Sequence, residues 1–90
     1  MKFILHQDAK SGFLEVPMNI IKELNISDKI SDKSFKNDIN TFAFLEEKTD
    51  MQLFKEHKEK PACLQVIHKY HSHGFQTERL IPWKQPLNES

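Results

Sequence analysis

The spacing of apolar and polar positions predicts two strands and a helix at the start of the chain. Residues 2–6 and 13–16 are apolar runs separated by a polar loop of about six residues, which is typical of a β-hairpin. Asn25 then provides a residue that tolerates the left-handed conformation at the end of a helix, with Ile26 as the apolar contact beyond it. The helix itself is predicted from i, i+3, i+4, i+7 spacing, at Pro17, Ile20, Ile21 and Leu24.

The middle of the chain predicts one strand and a second helix. Residues 27–40 are polar, so we expect one helical turn at 27–30 followed by loop. Residues 41–46 alternate and are rich in aromatic side chains, which favours a central strand. Thr49 and Gln52 match a capping box, so a helix should begin there and extend to about Lys58. Pro61 prevents it from continuing.

The last third predicts a hairpin and a tail. Residues 63–70 alternate as in a half-exposed strand, residues 72–74 form a turn, and residues 75–81 can return antiparallel. Pro82 and Pro86 prevent free extension of a sheet, so residues 83–90 are either a docked extended arm or a mobile tail. We therefore predict an α+β domain at residues 1–82, with an antiparallel sheet of four to five strands and two short helices on one face, and an extended tail at 83–90.

Composition narrows the functional classes. The 90 residues form one domain, and 13 Lys+Arg balance 13 Asp+Glu. Because Arg79 is the single arginine, broad nucleic-acid affinity is not expected. Cys63 has no partner for an internal disulfide, and no apolar run resembles a signal peptide or a membrane span. We expect a cytoplasmic protein without membrane contact.

Histidines offer a candidate metal site. His68, His71 and His73 follow one another near the end of a predicted strand, and two imidazoles on one face can bind one cation. The further ligands would have to be Cys63, His6 or a carboxylate at unknown distance. The other interpretation is a group of titrating surface histidines near a turn. No cofactor is predicted, and the three histidines remain weak metal candidates.

Two groups of residues are candidates for binding a partner. An acidic cluster follows the predicted central strand. It either stabilises a helix N-terminus or forms a patch that meets a basic protein surface or mimics phosphate. An aromatic and arginine group lies in the last third, and these residue types are enriched at binding hot spots. Within it, Trp83 either folds back to cap the sheet or stands exposed as an anchor. The predicted partner-binding residues are Glu46, Glu47, Asp50, Tyr70, Phe75, Arg79 and Trp83.

No serine or cysteine stands in a motif that would activate it as a nucleophile, so no catalytic residue is assigned and an enzyme is not expected. Paired carboxylates for acid–base chemistry would require a hydrophobic pocket, of which the sequence gives no sign.

Three segments resemble a known family. Residues 12–17 read Gly-Phe-Leu-Glu-Val-Pro, residues 24–31 read Leu-Asn-Ile-Ser-Asp-Lys-Ile-Ser, and residues 44–47 read Phe-Leu-Glu-Glu. This pattern is similar to that of small proteins from phages, plasmids and other mobile elements, and the resemblance covers residues 12–50. The chain departs from it at Phe13, Asn25 and Phe44, where the family has Trp, Gly and Tyr. The resemblance implies a mobile-element accessory protein and no particular reaction.

These observations lead to one expectation and two alternatives. The chain is expected to be a non-enzymatic accessory or inhibitor protein that binds a host or element-encoded protein, as monomer or homodimer, with inhibition of a defence system such as CRISPR-Cas as one setting. The alternatives are a weak nucleic-acid binder using Lys69, Arg79, Lys84 and the exposed aromatic residues, and a small metal-binding protein using His68, His71 and His73.

Overall fold

A mixed β-sheet is the frame of the protein. The computed structural model describes residues 2–58 and 65–84, and in these ranges the sheet has six strands in the order β5-β1-β2-β4-β3-β6. The strands are β1 (Lys2–Gln7), β2 (Gly12–Pro17), β3 (Phe35–Lys36), β4 (Phe42–Glu46), β5 (Gln65–Tyr70) and β6 (Ile81–Pro82). The α+β class is confirmed, and so are the N-terminal hairpin and the interior position of β4.

Two details of the predicted sheet are wrong. The sheet has six strands and not four to five, because β3 and β6 are each only two residues long and leave no alternation to detect. It is mixed and not antiparallel, because β5 pairs with β1 in parallel. Since β4 has the same direction as β1, and a helix carries the chain back between β4 and β5, β5 enters the sheet in that direction again.

Both helices pack on one face of the sheet, as predicted. They are α1 (Met18–Glu23) and α2 (Asp50–His57). Phe3 and Phe54 meet edge to face with ring centroids 5.4 Å apart, so α2 covers β1. The core between the helices and the sheet is formed by alternate strand residues and the inner helix faces, namely Phe3, Leu5, Leu14, Val16, Met18, Ile20, Ile21, Ile26, Ile30, Ala43, Leu45, Met51 and Phe54.

The predicted end of α1 is confirmed in its hydrogen bonds. Asn25 has φ 57°, and its N–H donates to the Lys22 carbonyl at 3.1 Å. The N–H of Ile26 donates to the Ile21 carbonyl at 3.4 Å, and the Ile26 side chain is fully buried. These two bonds form a Schellman motif, which satisfies the last carbonyls of the helix. A 3₁₀ turn at Ser27–Lys29 follows, as predicted.

The start of α2 differs from the predicted capping box. Thr49 is the residue before the helix, but its side chain makes no capping bond. Its Oγ1 instead donates to Glu46 Oε1 at 2.9 Å. The position of the helix is confirmed, while the capping chemistry is not.

Residues 71–80, which we call the strap, connect one edge of the sheet to the other. The prediction that residues 75–81 form a return strand beside β5 is wrong, because β6 contains only Ile81–Pro82 and pairs with β3 at the far edge. Six strands at about 4.8 Å spacing give a sheet roughly 24 Å wide, which the strap can span when extended. It crosses the face opposite the helices, the strap face. The predicted turn at 72–74 is present, with Gly74 at φ 91°.

Residues 85–90, Pro61 and Cys63 lie outside the described residues. What the sequence predicts for them therefore stays a prediction. No helix within residues 2–58 and 65–84 has both the length and the apolar character needed to cross a membrane.

Candidate protein-binding surface

Phe75 anchors the strap on the strap face. Its ring stacks on the His6 imidazole, with centroids 4.8 Å apart and an interplanar angle of 24°. It also packs against Phe13 at 5.5 Å and Phe44 at 5.9 Å. These three residues come from β1, β2 and β4 and face the same side, because side chains alternate along each strand. The strap therefore covers the middle of this face with an aromatic layer.

A chain of hydrogen bonds lies beneath Phe75. His6 Nε2 is 2.9 Å from Glu15 Oε1, and His6 Nδ1 is 3.0 Å from His71 Nε2. A carboxylate only accepts, so His6 Nε2 donates to Glu15, while His6 Nδ1 and His71 Nε2 share a hydrogen bond with each other. Both ring nitrogens of His6 are thus used inside the fold, and the His6 side chain is almost fully buried.

The position of His71 affects its protonation. Desolvation lowers the pKa of His71, and the nearby His6 and Lys69 lower it further, while Asp8 acts in the opposite direction. The lowered pKa favours the uncharged form of His71 at neutral pH. The chain fastens the beginning of the strap to β1 and β2.

Asp8 fastens the strap a second time. Its Oδ2 accepts the Phe75 N–H at 2.8 Å, and its Oδ1 accepts the N–H groups of Lys10 and Ser11 at 2.8 and 2.7 Å. These backbone N–H groups, that of Phe75 above all, lower the pKa of Asp8 to about 2. A shallow pocket of about 290 Å³ lies beside it, between the β1–β2 loop and residues 72–74. Because Asp8 already holds these donors, we assign no ligand to this pocket.

The strand β5 is the most exposed strand in the described part of the chain. Ile67 is 50% exposed and Tyr70 is 65% exposed, whereas Val66 packs against the core. β5 lies at one end of the strand order, and within residues 2–58 and 65–84 no strand pairs with its outer side. It therefore presents backbone N–H and C=O groups at its edge, with Ile67 exposed on one face of the strand and Tyr70 on the other.

The predicted aromatic and arginine residues do not form one surface. Tyr70 is exposed on β5, and Arg79 is exposed on the strap. Phe75 is half-buried in the aromatic layer. Trp83 packs against the core, and its indole N–H donates to the Ser27 carbonyl at 2.9 Å. Of the four, Tyr70 is the one that is both exposed and placed on a strand at the edge of the sheet.

The predicted acidic cluster is largely used by the fold. Asp50 is only 4% exposed and accepts from the Ser31 N–H at 3.0 Å and the Ser31 hydroxyl at 2.7 Å. It also accepts from the Ser34 hydroxyl. The Glu46 carboxylate accepts a hydrogen bond from the Thr49 hydroxyl, and the Glu47 side chain lies against Gly12. These carboxylates hold the loop before β3 and the start of α2, and Asp50 is not presented to a partner.

The three candidate metal ligands are not brought together. His68 Nδ1 is 3.0 Å from Gln7 Oε1, while His71 contacts His6 on the strap face. His73 lies at the pocket beside Asp8. Across the two described ranges, no group of three or more His, Cys, Asp or Glu side chains is arranged to hold a metal ion.

Sequence reasoning missed the contact between His6 and Glu15 and the bond from Phe75 to Asp8, and it did not single out Ile67. The hairpin register pairs His6 with Phe13, so Glu15 lies two residues further along the same face. That signal was present in the predicted hairpin. The contribution of His71 was not predictable, because it depends on the parallel pairing of β5 with β1.

Comparison with protein-family models, with curated proteins and with solved structures gave no match to this chain.

Proposed function

We propose that this protein is a non-enzymatic binding protein that attaches to another protein through the exposed side of β5. The single observation that carries the proposal is the exposure of Ile67 and Tyr70 on a strand whose outer side is unpaired within the described residues. Aromatic and aliphatic side chains on a sheet edge are a common basis of protein–protein contact.

The histidine chain supports a binding role over catalysis. A general base needs a ring nitrogen within reach of a substrate proton. His6 uses Nε2 for Glu15 and Nδ1 for His71, and Phe75 covers its ring. These contacts hold the strap in place, which favours a structural role for His6, Glu15 and His71.

The biological setting rests on the resemblance of residues 12–50 to proteins of phages, plasmids and other mobile elements. Within that setting, the partner is a host or element-encoded protein, and the effect is a change in that protein's activity. Inhibition of a defence system such as CRISPR-Cas is one case that the proposal includes.

The test is affinity capture from a bacterial lysate with three variants of the C-terminally tagged full chain. Ile67→Ser and Tyr70→Ser remove the exposed apolar groups of β5. Ile39→Ser is the matched control, because Ile39 is 71% exposed and lies in the loop between β3 and β4. We expect one stoichiometric protein that the wild type and Ile39→Ser capture equally and that both β5 variants lose. Equal capture by all four proteins, or no stoichiometric protein, would overturn the proposal.

A functional readout separates inhibition from simple attachment. Plaque counts of a targeted phage on a host with an active CRISPR-Cas system should rise when the wild-type protein is expressed. The Ile67→Ser variant should leave them low. Unchanged plaque counts with the wild type would exclude that system as the target.

A further inference from the structure

We infer that the partner segment bound at β5 is an extended acidic strand, in which an apolar residue is flanked at two-residue spacing by carboxylates. This inference rests on the proposed function and specifies the chemistry of the partner at the same site. The binding mode would be β-augmentation, in which main-chain hydrogen bonds give affinity and alternate side chains give specificity.

The two strands at this edge, β5 and its neighbour β1, contain basic residues and no acidic ones. The sequences of β1 and β5 are KFILHQ and QVIHKY, which contain lysines and histidines and neither Asp nor Glu. The chain as a whole has no net charge, and all 13 of its acidic residues lie outside these two strand sequences. The lysines of this edge therefore attract an acidic segment, because β1 and β5 contain no carboxylate that would neutralise them.

The pattern of side chains specifies the spacing. Ile67 pairs with Ile4 across the β1–β5 ladder, and Lys69 stands two residues further along the same face. On the other side of Ile67, Lys2 lies beside Gln65 on that same face. A strand added outside β5 would set an apolar side chain beside Ile67 and a carboxylate beside Lys69, because side chains on one face recur every second residue.

A second copy of this chain fits the edge less well. If two copies paired through β5, Lys2 and Lys69 of both would come together around one junction, and cations on a sheet edge disfavour such pairing. No carboxylate of β1 or β5 would offset that repulsion. The charge pattern thus favours a different, acidic partner over self-association.

The test uses two synthetic peptides that differ only in charge. The first is acetyl-Thr-Glu-Thr-Val-Thr-Glu-Thr-amide, whose symmetric pattern suits either strand direction; the second has Lys in place of both Glu. Titration of the full chain at low salt, followed by amide chemical shifts, should show that the acidic peptide binds about 5-fold or more tightly. The perturbed amides should be those of β5. The Lys69→Glu variant should reduce or reverse the preference, while Lys33→Glu, in an exposed loop, should keep it.

Each other outcome identifies a different failure. Equal binding of both peptides, or binding of neither, overturns the acidic-strand inference. Tighter binding of a single-stranded oligothymidine overturns it in favour of nucleic acid, and a concentration-dependent dimer that is lost in Ile67→Ser overturns it in favour of self-association. If capture of a protein depends on Ile67 and Tyr70 but is unchanged by Lys69→Glu, the proposed function stands and this inference fails.

Discussion

Replacing Asp50 with Asn tests whether this buried carboxylate belongs to the fold and not to a binding patch. Asp50 accepts three hydrogen bonds, two from Ser31 and one from Ser34. Ser34 is completely buried, and its Oγ also accepts the Glu46 N–H at 2.9 Å. One carboxylate therefore joins the loop before β3, the end of β4 and the start of α2.

The expected magnitude follows from these bonds. Asn retains an oxygen that can accept the Ser31 N–H, but its amide group replaces the oxygen that accepts from the two hydroxyls. Hydrogen bonds to charged groups contribute about 1.5–3 kcal/mol each, and rotation of the hydroxyls would recover part of the loss. We expect Asp50→Asn to lower the free energy of unfolding by about 2–4 kcal/mol, a large share of the roughly 5 kcal/mol typical of a domain this small.

Urea unfolding at pH 7 measures this loss. Trp83 is the single tryptophan and lies against the core, so its fluorescence should follow the transition, with far-ultraviolet circular dichroism as the second signal. A loss of 2 kcal/mol should move the midpoint by about 2 M, if the slope is about 1 kcal/mol per molar urea. Asp32→Asn is the control, since Asp32 is exposed in the same loop and should change stability by less than about 0.5 kcal/mol.

A second variant tests the network itself. Ser34→Ala should cost about 1–3 kcal/mol, because the Glu46 N–H loses its acceptor. Since Ser34 and Asp50 share a hydrogen bond, the double variant should lose less than the sum of the two single losses. If Asp50→Asn unfolds at the same urea concentration as Asp32→Asn, the structural role assigned to Asp50 is refuted.

Two further predictions concern the strap and α1. The pKa of His71 is below 6.5 in the folded protein, so the unfolded state binds more protons as pH falls. The His71 contribution to stability is complete above pH 6.5 and should be lost as pH falls towards the folded-state pKa. His71→Gln should remove this part of the pH dependence in unfolding curves, and an identical slope would contradict the assignment. Asn25→Ala should cost about 1–2 kcal/mol because φ is 57°, whereas Asn25→Gly should cost nothing in the same urea experiment.

The sequence predicted the elements whose signals are local. The β1–β2 hairpin, the left-handed Asn25, the 3₁₀ turn and the central strand depend on periodicity and on the conformational preferences of single residues. These preferences act between residues that are near one another in the chain. The general layout of helices on one face of a sheet was predictable because an amphipathic helix buries its apolar side against the apolar face of a sheet.

The pairing of strands that are distant in the sequence was decided only by the tertiary structure. The parallel β1–β5 ladder brings His71 to His6, and the pairing of β6 with β3 draws the strap across the sheet. Neither pairing leaves a local pattern, because β3 and β6 are two residues long and the direction of β5 depends on the path through α2. The roles of Asp50 and Trp83 as parts of the fold, and of β5 as the exposed edge, follow from those long-range contacts, since burial is a property of the whole assembly of strands and helices.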